Sequence, residues 1–120
     1  MERVLGVGGV FFRAKDPKAL AEWYQTHLGI DLAPADATMR PWVSKEGVTV
    51  FAPFADDTDY FPPDRMFMLN FRVRDLDAML AQLRAGGVEI TQEEAMDGIG
   101  RFARIHDPEG NPVELWEPVS

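Results

Sequence analysis

The chain repeats itself, and no other feature of it restricts the fold as sharply. Residues 10–23, "VFFRAKDPKALAEW", align with residues 69–82, "LNFRVRDLDAMLAQ", at an offset of 59. Phe12 then falls on Phe71, Arg13 on Arg72 and Asp16 on Asp75. Further along, "GIDL" (29–32) meets "GVEI" (87–90) at an offset of 58, and "EGVTVFAPF" (46–54) meets "EGNPVELWE" (109–117) at 63. Shifts of a few residues are ordinary loop insertions. Each unit reads strand–helix–strand–strand–strand, so two units imply eight strands and two helices. A helix with one apolar stripe packs on one face of its sheet, which leaves the other face free to curve round a cavity.

Local signals place the elements. Asp16-Pro17 opens a helix, with Asp as N-cap and Pro at the first helical position. Leu20, Trp23, Tyr24 and His27 recur at helical spacing and Gly29 stops the run. His27 reads as a helix-end side chain near the last carbonyls. Asp75 caps a second helix with Leu76, Met79, Leu80 and Leu83 as its stripe and Gly86-Gly87 as its stop. Strands are expected at 4–13, at 66–73, at 88–90 ("VEI"), across "GRFARIH" and across "NPVELWEP". "KEG" at 45–47 suggests a hairpin between "RPWVS" and "VTVFAPF". "ADDTDYFPPD", 55–64, is acidic, contains proline and reads as a loop; its Asp56, Asp57 and Asp59 lack the Gly and distal Glu of a calcium loop. The glycines at 6, 8 and 9 lie within a strand pattern and not at a strand-to-helix turn, which argues against a dinucleotide loop.

Composition removes several function classes. A net charge of −8 opposes nucleic-acid binding. With no Cys there is no disulfide, thiol nucleophile or Cys-ligated zinc. Neither Ser44 nor Ser120 sits in a G-x-S-x-G turn. No apolar run approaches the roughly 18 residues of a membrane span, and the N-terminus reads as a strand of the mature protein, so a soluble cytoplasmic protein is expected.

Residues 105–118, "IHDPEGNPVELWEP", are the densest stretch. Pro108 presets a turn, Gly110 supplies a left-handed position, and Glu114 stands inside an apolar alternation. Together with "FFRAKDPKALAEWYQTHLGI" and "LNFRVRDLDAMLAQLRAGGVEI", this stretch resembles the glyoxalase / bleomycin-resistance / extradiol-dioxygenase (vicinal oxygen chelate) superfamily, across nearly the whole chain. The resemblance implies an α+β fold of two tandem βαβββ modules forming an eight-stranded cupped, incompletely closed sheet with one helix per module on the outside. It implies one domain over 1–120: module one 1–55, a linker 56–65 and module two 66–120. A homodimer is also implied, and the aromatics from Tyr60 to Phe67 are candidates for its interface.

The superfamily's metal enzymes place one ligand on the first strand and one on the last strand of each module. The equivalent positions here are Gly9, Phe51, Met68 and Glu114. Gly and Phe have no donor, and Met is a soft ligand ill suited to zinc, nickel or manganese. No cofactor is therefore expected, with a divalent metal held by Glu114 and His106 as the alternative. Strand alternation adds Phe11, Arg13, Asn70, Arg72 and Trp116 to Met68 and Glu114 on the cup face, with Trp42 and Phe51 joining from module one. Val10, Phe12, Leu69, Phe71, Val73, Val113 and Leu115 fall on the helix-packed face. An apolar set with a few polar groups suits a small-molecule pocket. Glu114 could be a catalytic base, or simply be ion-paired with Arg72 or Arg13. The expectation is a metal-free protein that binds a small, partly apolar molecule. A lyase, isomerase or dioxygenase-type enzyme using Glu114 is the alternative.

Overall fold

The two helices form where the capping signals put them. In the computed structural model, which describes residues 1–119 and leaves Ser120 outside, α1 spans Pro17–Leu28 and α2 spans Leu76–Ala85. The Asp16 carboxylate accepts from the Ala19 amide at 3.1 Å, and Asp75 does the same for Ala78 at 3.0 Å. Each thereby satisfies one of the free N–H groups at a helix start. Gly29 closes α1 at φ 70°, a left-handed conformation that disfavours side chains. The stripes bury as the spacing predicts: Leu20 and Tyr24 on α1, and Leu76, Leu80 and Leu83 on α2.

Behind α2 lies a sheet of four strands in the order β1-β4-β3-β2: β1 Leu69–Arg72, β2 Gln92–Met96, β3 Gly100–His106 and β4 Pro112–Pro118. β1 runs parallel to β4, with Asn70 opposite Glu114 and Arg72 opposite Trp116. β3 and β4 are antiparallel, with Arg104 opposite Glu114 and Phe102 opposite Trp116. The helix side of this sheet is the core: Ala103, Ile105, Val113 and Leu115 are buried, with Phe71 and Val73 packed against them. β2 is a correction, since a strand is expected at 88–90 and forms instead at Gln92–Met96. Val88 and Ile90 pack on the core outside any ladder, while "QEEAM" pairs along the exposed edge of β3. An acidic edge strand carries no apolar alternation to announce it, and its charge protects the edge from pairing with other chains.

Module one departs further from expectation. Among the described residues all four strands come from module two, and segments 4–13 and 30–54 carry no ladder. Their apolar side chains face outward: Leu5, Phe11 and Phe51 are almost fully exposed, and Val10 and Phe12 stand clear of the core they were expected to join. A strand pattern becomes a strand only when a neighbour supplies hydrogen-bond partners, and none lies beside these segments. Module one still reaches the sheet at a few points. The Arg72 guanidinium donates to the carbonyls of Lys45 (2.8 Å) and Glu46 (3.4 Å). Trp42 meets Phe71 edge-on at 6.3 Å, and Phe12 meets Phe67 at 6.0 Å.

Candidate functional site

The face of the sheet turned away from the helices carries the polar residues. Alternation along β4 puts Leu115 in the core and Glu114 and Trp116 on this opposite face; Asn70 from β1 and Arg104 from β3 flank Glu114 in register. Glu114 is buried, so its carboxylate needs hydrogen-bond donors. Asn70 supplies one through Nδ2 at 2.7 Å to Oε1, and the Tyr60 hydroxyl donates to Oε2. Tyr60 comes from the linker, which lies over this face. The Arg104 guanidinium sits 5.3 Å from the centre of the Tyr60 ring, within cation–π range, and donates to the Tyr60 carbonyl at 3.1 Å. Arg104 is itself buried, and its Nε–H has no partner. Burial, followed by the hydrogen bond to the Glu114 carboxylate, pushes the Tyr60 phenol up to about 12. It therefore stays protonated and donating at neutral pH. Beside this cluster, Phe102 and Trp116 stack with their planes within 2°, and the Trp116 indole N–H is held by the Ile99 carbonyl at 3.0 Å.

A second polar knot sits at the 107–111 turn and is structural. Asp107 Oδ1 accepts from the amides of Glu109 (2.9 Å) and Asn111 (3.0 Å); Oδ2 accepts from Asn111 Nδ2 and the Tyr24 hydroxyl, both at 2.7 Å. Gly110 closes the turn at φ 80°. The Glu109 carboxylate meets the amides of Lys15 and Asp16 at the entrance of α1, and Arg65 donates to Asn111 Oδ1 at 2.9 Å. Burial, and then Asp107, pushes the Tyr24 phenol far above the ordinary tyrosine range. The most specific sequence motif of the chain thus ties α1 and the linker to the β3–β4 hairpin.

Comparison with known proteins agrees with the fold. The family profile described as "Glyoxalase-like domain" matches residues 9–116. The chain belongs to that family. Among solved structures, this glyoxalase-like domain is similar to TnmS3, an antibiotic binding protein from Streptomyces sp. CB03234 (27% identity, 88% of each chain, TM-score 0.56). It also resembles a glyoxalase/bleomycin resistance protein from the same organism (27% identity, 86% of this chain and 92% of that one, TM-score 0.53). A glyoxylase/bleomycin resistance protein/dioxygenase domain from Frankia sp. EAN1pec shares the fold at 18% identity, over 98% of this chain and all of its own (100%), with a TM-score of 0.65. Comparison with curated sequences gives no match.

The metal that the superfamily's enzymes use does not fit the residues present. Both oxygens of Glu114 already accept from side chains, and Gly9, Phe51 and Met68 offer no hard donor. His106 shares the face of Arg104 but lies two pairs further along β3, opposite Pro112, and is exposed. Among the described residues no three His, Asp or Glu side chains gather in a way that could hold a metal ion.

Of the residues expected on the cup face, the structure brings Glu114, Asn70, Arg72 and Trp116 onto one side of one sheet, and Met68 precedes them at the same parity. It does not bring Phe11, Arg13 or Phe51 to Glu114; all three are exposed. Trp42 packs against Phe71, on the core side. Neither Arg72 nor Arg13 pairs with Glu114; Arg72 binds backbone carbonyls instead. Sequence reasoning missed Tyr60 and Arg104. Arg104 could have been found by carrying the Asp107–Asn111 turn into a hairpin register, which sets it opposite Glu114. Tyr60 carries no such signal, because a loop has no periodicity. Two open cavities lie elsewhere: one of about 500 Å³ between α1 and Pro108-Glu109, and one of about 230 Å³ beside Trp23, His106 and Asp107.

Proposed function

We propose that this glyoxalase-like domain binds a small, partly apolar molecule on the sheet face turned away from the helices, around Glu114, without a metal. The observation that carries the reading is the buried Glu114 carboxylate held by Asn70 and Tyr60 beside the Phe102–Trp116 stack. A few fixed polar groups among aromatic side chains are the usual make-up of a ligand site. The similarity at 27% identity to an antibiotic-binding protein supports it. In this reading module one, 1–55, closes with module two, 66–120, into the eight-stranded cup once its exposed segments find ladder partners. A homodimer provides them: an apolar surface that includes Leu5, Phe11 and Phe51 is unusual on a lone subunit. No helix among the described residues is long and apolar enough to cross a membrane. We take the protein to act in the cytoplasm, with no nucleic-acid partner, given its charge of −8.

A thermal-shift screen of planar aromatic compounds and divalent cations tests this, because anything that binds only the native state raises its apparent stability. Aromatic compounds should raise the Tm and cations should not. A stoichiometric transition metal in the purified protein would overturn the metal-free reading. The alternative is an enzyme of lyase, isomerase or dioxygenase type that uses Glu114 as its base; the Tyr60–Glu114 contact favours it as a donor–acceptor couple. For a substrate found by such a screen, Glu114→Gln should abolish turnover and spare binding if this alternative holds.

A further inference from the structure

Arg104 and Glu114 stand directly opposite each other on neighbouring strands, yet they form no ion pair. Opposed side chains start only about 5 Å apart at Cβ, so a direct salt bridge would be the simple outcome. The side chain of Tyr60 takes up the interaction of both instead. Its hydroxyl donates to Glu114, its ring lies under the Arg104 guanidinium, and Phe54 flanks it at 5.6 Å between centroids. Asn70 holds the far oxygen of Glu114 and so aims the near one at the hydroxyl. The surroundings are those of a phenol receptor: a carboxylate for the O–H, a cation for the π-face and an aromatic wall. The occupant is carried by an irregular loop with a Tyr60 amide bond to Thr58 at 3.2 Å and turns at 55–58 and 62–65; Arg104 holds its Tyr60 carbonyl and Arg65 anchors its end on Glu109 and Asn111. The carboxylate and the cation of the receptor belong to a regular sheet, whereas the plug and its Phe54 wall belong to irregular chain. Arg104 also keeps a buried Nε–H unsatisfied, which an acceptor atom on an incoming ligand would relieve.

We infer that Tyr60 is a stand-in for the ligand, and that the molecule this site takes is a planar phenol whose hydroxyl replaces that of Tyr60 on Glu114. The inference rests on the binding reading above and narrows it to one chemical class. Binding then requires the 55–65 loop to give up its contacts, and the affinity observed is lowered by the fraction of protein in which Tyr60 is still seated.

Titration of the intact protein with 2-naphthol and 2-methoxynaphthalene, followed by Trp fluorescence and calorimetry, provides the test. Wild type should prefer 2-naphthol by about tenfold or more, the usual weight of a hydrogen bond to a charged group. Tyr60→Phe leaves the ring but removes the competing hydroxyl, so it should bind 2-naphthol about tenfold more tightly. Glu114→Gln should erase most of the preference for the phenol. Hydrogen exchange in residues 55–65 should quicken when 2-naphthol binds. If Tyr60→Phe weakens 2-naphthol or leaves it unchanged, Tyr60 is a fixed wall of the site and the stand-in role is overturned. Equal affinity of wild type for the two naphthalenes overturns the phenol class, while the broader reading survives wherever other aromatic compounds raise the Tm. If no aromatic compound binds wild type or Tyr60→Phe, both fall together.

Discussion

The two modules carry the same pattern and meet different fates. In both, an Asp caps a helix whose apolar stripe is buried, and the capping distances are nearly identical at 3.1 and 3.0 Å. The strands diverge. Module two places Val113 and Leu115 in the core at 0% exposure, whereas Phe51, one repeat earlier at the position of Glu114, is 87% exposed. A helix satisfies its backbone within itself, so a local signal suffices to make one. A strand needs a neighbour, and only module two has its neighbours in place: β4 lies between β1 and β3 and is paired on both sides. Equal patterning therefore specifies equal helices but not equal sheets.

Substitutions matched across the repeat sharpen that contrast. The largest effect is expected in the buried sheet: Leu115→Ala should cost about 2–5 kcal/mol in urea unfolding. Phe51→Ala should cost less than about 0.5 kcal/mol in the isolated subunit. If Phe51→Ala costs as much as Leu115→Ala, module one is covered in solution, and light scattering should then report a dimer. Next comes Tyr24→Phe, which breaks the tie between α1 and the hairpin turn. It removes one donor to the buried Asp107 and should cost about 1–3 kcal/mol. The caps follow: Asp16→Ala and Asp75→Ala should each cost about 1 kcal/mol and agree with one another. A large difference between them would mean that the two helices depend unequally on their modules.

The smallest effect is alkaline. Both of the chain's tyrosines have phenols raised above the ordinary value near 10, Tyr60 to about 12. A phenol that holds its proton more tightly when folded contributes stability in full below about pH 10. That contribution is lost as pH rises toward about 12 for Tyr60. Phenolate absorbance of the native protein should therefore stay flat through pH 10, and Tyr60→Phe should lose less stability than wild type over the same rise. Phenolate appearing near pH 10 in the native protein would show that Tyr60 is not seated on Glu114.

Both helices and much of module two's sheet are legible in the sequence. The caps, both stripes, the turn at Pro108–Gly110 and the faces of β4 all follow from spacing and turn chemistry. The β2 strand is not, because its acidic residues bury nothing and its existence depends on the exposed edge of β3. Of the site, Glu114, Asn70 and Trp116 could be placed on one face by alternation. Arg104 required the hairpin register, and Tyr60 required knowing where an irregular loop lies in space.

By itself the sequence determined the repeat, the helices with their caps, the hairpin turn and the place of Glu114 inside an apolar alternation. These are matters of local hydrogen bonding and period, which the chain encodes over a few residues. Only the tertiary structure decided what Glu114 touches. Its partners come from β1 and from the linker, 44 and 54 residues away in the chain. Those meetings depend on strand pairing and loop placement, to which no local spacing corresponds.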